Sequence, residues 1–518
     1  MRASGILCPV SSLSSRYGIG CFSKEAYDFV DFLVEAGQTY WQVLPFGPTG
    51  YGDSPYQTFS TFAGNPYFID PATLIEDGLL LRKEAESFDF GREPERVDYG
   101  ALYNGRFKLL KLAFERFMEK PDEEYEGFKE KNAFWLYDYG LYMALKGANG
   151  GKAWPEWDDE LKLRDEKALA AARKEYAETV EFYCFQQYEF AKQWAKLRKY
   201  ANDKGLMIIG DIPFYTSADS SDTWANPQLF LMDEECLPKK VAGCPPDAFS
   251  ADGQLWGNPI YDWAYLKETN YEWWIRRIAA CLELVDVLRV DHFRAFDEYY
   301  EIPYGEKTAV NGRWVKGPGI GLFKEAEKQL GELHIIAEDL GYITDSVRAL
   351  VRETGFPGMK VLQFAFDSRE ESDYLPHNYE HDCVVYTGTH DNETTRGWIE
   401  NINHHDREFA RCYIGSVFTD YGQFTWDFIR TAQASVADLC IVPIQDYLVK
   451  DNKARINHPS TTGGNWQWRL VPDELSDELA KSIYKMSKLY GRVPKKPEPE
   501  EKAEEEVKAA EEETGEVK

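Results

Sequence analysis

The sequence predicts a (β/α)8 barrel, the TIM-barrel class, with largely helical insertions after its second and third strands. Three observations predict it. Eight short runs of β-branched or aliphatic residues recur along the chain, most followed by a turn or a helical stretch. Acidic side chains stand at the ends of several runs, where a barrel collects its reacting groups. Two connections, 51–204 and 212–284, are too long for ordinary crossovers.

The runs cover 5–7, 40–44, 206–211, 285–291, 334–338, 361–364, 383–387 and 439–444. Their near-continuous apolar character suits strands buried on both faces of a parallel sheet. A doubly wound sheet is the alternative, but no GxGxxG opens a helix here, so its commonest dinucleotide signal is missing. The first long connection reads as mostly helical, for example over 103–119 and 168–200. The second mixes Pro and Gly with aromatics over 245–259, as does a loop that offers sticky side chains to a ligand. The expected organisation is one barrel domain over 1–493, with inserted subdomains at about 66–200 and 213–284. An acidic, disordered tail over 494–518, rich in Glu, Lys and Ala, follows it.

Composition narrows the partners. A formal charge of −29 over 518 residues argues against nucleic acid or an anionic membrane surface, both of which need a basic footprint. A neutral ligand is easier to reconcile with it. The nine cysteines form no CxxC pair, and no His cluster has zinc-ligand spacing, so neither a disulfide framework nor a structural metal is indicated. No stretch of 18 apolar residues occurs. The expectation is a cytoplasmic, soluble protein.

The strand ends carry the chemistry. The third run ends in Asp211, the fourth in Asp291, and the fifth in Glu338-Asp339. The seventh leads to His390-Asp391 and the eighth reaches Asp446. Carboxylates at five of eight ends imply a shared acidic centre. Retaining glycosyl transfer needs two of them, one to attack the anomeric carbon and one, protonated, to release the leaving oxygen. Arg289 and Asp291 are two apart on a strand and face the same way, so the guanidinium favours an ionised nucleophile. Glu338, partly desolvated among other carboxylates, suits an acid/base. Alone, each motif has a structural reading: an Arg-Asp pair, a helix-capping Glu-Asp, a satisfied core histidine. Tyr51, Tyr56, Trp256 and Trp466, flanked by Gly, Pro and polar residues, are candidate rings for the CH faces of sugars.

Taken together, the chain resembles the amylomaltase or disproportionating-enzyme family, the 4-α-glucanotransferases of glycoside hydrolase family 77 in the wider α-amylase clan. The resemblance runs from Ser4-Gly5-Ile6-Leu7 through Leu44-Pro45-Phe46-Gly47-Pro48 and Tyr51-Gly52-Asp53-Ser54-Pro55-Tyr56, then Gly210-Asp211-Ile212-Pro213 and Arg289-Val290-Asp291-His292-Phe293. It continues in Glu338-Asp339-Leu340-Gly341, Thr389-His390-Asp391-Asn392 and Gly464-Asn465-Trp466. It implies Asp291 as nucleophile, Glu338 as acid/base and Asp391 as the third carboxylate. Tyr56, Asp211, Arg289 and His390 are implied around the cleaved sugar, with Trp256, Phe364 and Asn465 as further substrate contacts. The resemblance makes 247–255 a mobile loop on the acceptor side, including Phe249 and Gln254, and puts Tyr51 and Tyr99 in an outer glucan-binding site. It implies α-1,4-glucan donors, glucose or maltooligosaccharide acceptors, and no cofactor or catalytic metal. Two other readings stay open at this point, a maltodextrin-hydrolysing amylase and a non-catalytic glucan-binding protein. Transfer and hydrolysis share the glycosyl-enzyme intermediate, so the carboxylates alone do not separate them.

Overall fold

A computed structural model describes residues 2–50, 52–246, 250–341, 343–417, 420–461 and 463–494. In chain order its strands are β1 (Ala3–Leu7), β2 (Tyr40–Gln42), β3 (Met207–Pro213), β4 (Lys240–Cys244), β5 (Gln254–Pro259), β6 (Val287–Asp291), β7 (Glu298–Pro303), β8 (Arg313–Lys316), β9 (Ile335–Ala337), β10 (Gly358–Val361), β11 (Cys383–Tyr386) and β12 (Leu439–Pro443). Eight of them pair in the order β10-β11-β12-β1-β2-β3-β6-β9, every ladder parallel. The circuit closes where Ala337 N donates to Pro357 O at 2.9 Å, bringing β9 beside the start of β10. Helices cross over between strands. The first, Lys24–Glu35, buries Ala26, Phe29, Val30, Phe32 and Leu33, the helical spacing of an amphipathic face.

Leu7, Ile209, Ile336, Met359, Val361, Val384, Tyr386 and Ile441 form one apolar cluster drawn from six barrel strands. Polar side chains lie on the same strands toward their C-terminal ends. Ile209 and Asp211 share one face of β3, and Val287, Arg289 and Asp291 share one face of β6. Tyr386 donates its hydroxyl to Gln42 Oε1 at 2.9 Å, tying β11 to β2 below this polar layer. The barrel is therefore a packed core with a polar rim at one end.

One sequence-based expectation needs correction, and two gain detail. The sixth run is shifted: the strand is Gly358–Val361, and Leu362–Ala365 turns into a 3-10 helix. Lys360 interrupts the apolar pattern of the true strand, which moved the expected one toward Leu362. Gly358 has no Cβ for a reason: one would lie 2.5 Å from Asp339 Oδ2, and Asp339 Oδ1 accepts Met359 N at 2.7 Å. Second, the insertions are not only helical. A four-stranded antiparallel sheet, in the order β5-β4-β7-β8, joins the insertion after β3 to a further segment after β6. Short strands with charged ends, pairing across a long stretch of chain, leave little alternation to read. Third, the stretch 168–200 is two helices, Glu166–Glu175 and Ala177–Asp203, separated at Tyr176. The segment 495–518, where the acidic tail was expected, lies outside the described residues.

The N-terminal end of the barrel is tied by one buried cation. Arg492 donates to the carbonyls of Gln433 (2.8 Å), Ala3 (2.9 Å), Asp438 (3.1 Å), Ser435 (3.2 Å) and Ala437 (2.8 Å), so it joins the last helix to β1 and to the chain leading into β12. Arg492→Ala removes all five bonds, although Arg2 still donates to the carbonyls of Ser435 and Gln433, and Ala3 N to that of Asp438. The expected loss is about 3 kcal/mol or more, read as a lower thermal midpoint in calorimetry with the steady-state rate at 25 °C unchanged.

Candidate active site

The polar rim is built around Arg289. Its Nη1 donates to both oxygens of Asp211, at 2.8 and 2.7 Å, and its Nη2 to Asp291 Oδ1 at 3.0 Å. Its Nε points to Met359 Sδ at 3.4 Å. Guanidinium, Asp211 and Asp291 thus lie along neighbouring β3 and β6, which pair Asp211 with Arg289 in register. A planar fork suits this double duty, which a lysine cannot reproduce. Burial pushes Asp211 up to about 6, with help from the Asp291 charge and against the pull of Arg289.

Glu338 follows β9. Its Oε2 accepts His292 N at 2.7 Å and its Oε1 accepts Leu340 N at 2.8 Å. His292 adopts a left-handed backbone, φ 54°, directly after Asp291, and that turn delivers its N–H to Glu338. The two carboxyl groups are therefore linked through one residue. Burial and then the Asp291 charge push Glu338 up to about 7, while Arg289 and the two N–H donors oppose the rise. Burial holds the His292 ring well below the usual imidazole range, at about 4. That ring sits edge-on to Trp256, centroids 5.0 Å apart.

Tyr56, in the loop after β2, donates its hydroxyl to Asp211 Oδ2 at 2.8 Å and stacks on His390 at 5.0 Å and 16°. Trp466 leans on both rings, 5.9 Å from each. The His390 ring lies with Nε2 3.3 Å from Asp391 Oδ1, which also accepts Asn457 Nδ2 at 2.7 Å. Arg455 Nη2 donates to the Asp391 carbonyl at 2.7 Å. Asp391 is thus held at Oδ1 from two sides, and it lines the cleft.

These groups open into one cleft of about 780 Å³ lined by Tyr56, Trp256, Asp291, Glu338, Asp391 and Trp466, among others. Gln254, His390 and Asn465 line it too. Gln254 Oε1 accepts Trp256 Nε1 at 3.0 Å, and Asn465 Oδ1 accepts His458 N at 3.0 Å, fixing the rim loop after β12. Phe364 is not part of that lining; it is 44% exposed and meets Tyr374 edge-on at 5.5 Å. Tyr99 lies behind Trp466, donating its hydroxyl to the Trp466 carbonyl at 2.7 Å, and borders a separate hollow that also contains Asp53. Tyr51 and Phe249 fall outside the described residues.

The expected shared acidic centre is smaller than five strand ends. Asp211, Asp291, Glu338 and Asp391 gather in it, whereas Asp446 is turned away. Its carboxylate accepts Thr387 Oγ1 and Thr395 Oγ1 at 2.6 Å each, and Thr395 N at 2.7 Å. It is a buried clamp at the base of the helix Thr395–Asn401. Asn457, Arg455 and His292 were not singled out from sequence. For Asn457 a signal existed: Asn457-His458-Pro459-Ser460 is a polar, Pro-containing loop after the last strand, on the same rim.

The arrangement pairs one carboxylate kept beside a cation with another raised to near neutrality, the division of labour that nucleophile and acid/base require. Comparison with known proteins agrees with that chemistry. The family model described as 4-alpha-glucanotransferase, glycoside hydrolase family 77, matches residues 8–474. The chain is 50% identical over 485 residues to a 4-alpha-glucanotransferase of Clostridium butyricum, covering 93% of this chain and 99% of that protein. It is 48% identical over 501 residues to one from Thermus thermophilus, covering 95% and 99%. The solved amylomaltase of Streptococcus agalactiae in complex with acarbose superposes with a TM-score of 0.93 at 42% identity, over 95% of this chain and 100% of that one. The chain belongs to the 4-alpha-glucanotransferases of glycoside hydrolase family 77.

Proposed function

We propose that this protein cleaves α-1,4-glucan with retention and transfers the glycosyl segment to the 4-OH of glucose or a maltooligosaccharide. The observation that carries the reading is the linked pair: Asp291 on Arg289, and Glu338 raised to about 7 on the backbone N–H that follows Asp291.

In the first step Asp291 attacks the anomeric carbon while Glu338 gives its proton to the departing glycosidic oxygen. A glycosyl ester forms on Asp291 and the glucan fragment leaves with a free 4-OH. In the second step the ionised Glu338 takes the proton of an acceptor 4-OH, which attacks the same carbon and frees Asp291. Asp391, braced by Asn457 and His390, faces the sugar whose ring gains positive charge, and stabilises it. Arg289 holds Asp291 in place through its Nη2 bond to Oδ1, and Tyr56 with Trp466 offers ring faces to the bound sugar.

Transfer over hydrolysis is supported by the apolar rim at β5, where Leu255 and Trp256 give an acceptor sugar something to pack on that water does not need. The test is maltotriose as sole substrate. Glucose plus a ladder of longer maltodextrins is the expected product pattern; only shorter sugars, with reducing ends rising steadily, would make the protein a hydrolase.

A cytoplasmic setting is part of the proposal. The nine cysteines include no CxxC pair, as suits a reducing compartment, and no helix among the described residues is long and apolar enough to cross a membrane.

A further inference from the structure

Away from the cleft, a cavity of about 170 Å³ opens where the insertion after β2 meets the one after β3. Five aromatic residues line it, Phe62, Phe134, Trp135, Tyr265 and Trp273. Phe62 is the hub, edge-on to Phe134 (5.3 Å, 86°) and Trp273 (6.1 Å, 87°) and parallel to Trp135 (6.3 Å, 21°). Phe134 leaves 48% of its surface to solvent beside this mouth, under the Arg276 guanidinium at 5.6 Å. Asn226, Gln228 and Thr269 line the cavity as well.

The charges at the mouth are already matched. Arg276 pairs with Glu272, and Asp138 accepts Arg164 Nη2 at 3.0 Å. A charged ligand therefore gains little there, in a chain of net charge −29 that repels anions in any case. Aromatic rings beside neutral amides and hydroxyls in one lining suit an uncharged polyhydroxy ligand with alternating CH and OH surfaces. That is the composition of the main cleft as well, where Tyr56, Trp256 and Trp466 stand among amides and hydroxyls.

From this arrangement we infer that the cavity is a second saccharide site, holding a stretch of the same α-glucan remote from the point of cleavage. The inference rests on the proposed function for the identity of the glucan. Location favours a single polymer reaching both places: Phe62 and Tyr56 belong to one loop at the barrel's C-terminal rim, and that loop is pinned by Thr61, whose N and Oγ1 donate to Asp222 at 2.8 and 2.9 Å. Two contact points on one chain raise the effective concentration of the cleavable part, so long donors gain and short ones do not.

The experiment measures maltoheptaose binding to Asp291→Asn, which stops turnover, with and without Phe134→Ala, and donor kinetics of Phe134→Ala and Gln228→Ala in the active protein. Phe134 is half exposed, so its truncation spares the fold, and an unchanged melting curve verifies this. The expected result is a binding site besides the cleft that is lost or weakened about five- to tenfold by Phe134→Ala. KM for amylose rises by a similar factor in both variants, while kcat and KM for maltotriose stay as they were. A single site unaffected by Phe134→Ala, or equal changes for amylose and maltotriose, overturns the second site while leaving the transferase reading intact. Absence of transfer by the unsubstituted protein overturns that reading, and this one with it.

Discussion

Asp291→Asn is expected to lower glucan transfer on the order of 10⁴-fold or more in kcat, with maltoheptaose still bound. The substitution removes the atom that forms the ester but keeps the side-chain shape. It does not abandon a buried cation, because Arg289 keeps both of its bonds to Asp211. The cleft therefore stays assembled, and the loss appears in chemistry instead of folding. A second consequence follows from the charge. The Asp291 carboxylate is one of the causes that lift Glu338 to about 7, so its neutralisation moves Glu338 back toward ordinary glutamate values. Equilibrium titration of maltoheptaose and a stopped assay of maltotriose conversion check the two halves. Transfer close to the parental rate would remove Asp291 from its proposed role.

Glu338→Gln has the next largest effect, and its signature is dependence on the leaving group. With an ordinary glucan donor the departing oxygen needs a proton, and kcat falls by about 10²–10⁴-fold. A glycosyl fluoride needs little such help, so its first step proceeds in the variant. The second step then lacks its base, and azide, which attacks without giving up a proton, restores turnover as a glycosyl azide. The parent protein supplies the matching pH test. Glu338 acts first as an acid, so kcat/KM for glucan falls as pH rises through about 7, the value that burial and Asp291 impose, and that basic limb vanishes in Glu338→Gln. A limb that survives the substitution belongs to another group.

Much of this site was legible because a parallel barrel places strand ends together, whatever the chain does between them. Asp211, Asp291, Glu338 and Asp391 could be found from their positions after apolar runs, since the alternation that packs Ile209 and Val287 against the apolar cluster also aims Asp211 and Asp291 to the same side. Asp446 shows the limit of that reasoning. It stands after β12 as the others stand after their strands, yet the chain turns at once into the helix Ile444–Tyr447 and gives its carboxylate to two threonines. Local turn geometry decides such cases, and it is not written in strand periodicity. The same holds for His292, whose left-handed backbone supplies a donor to Glu338 through its main chain, not its ring. Asn457 and the aromatic cavity around Phe62 depend on segments far apart in sequence meeting in space. The sheet β5-β4-β7-β8 escaped for that reason too, and with it the way Gln254 and Trp256 are carried to the cleft on a strand.

The central claim is a covalent glycosyl-Asp291 intermediate, and Glu338→Gln is the means of seeing it. Given a maltosyl fluoride, this variant forms the ester and lacks the base to discharge it. Intact-protein mass spectrometry is expected to show one added maltosyl group per chain, and peptide mapping to place it on Asp291. An adduct on Asp211 or Asp391, or fluoride release with inverted product and no adduct, would contradict the account.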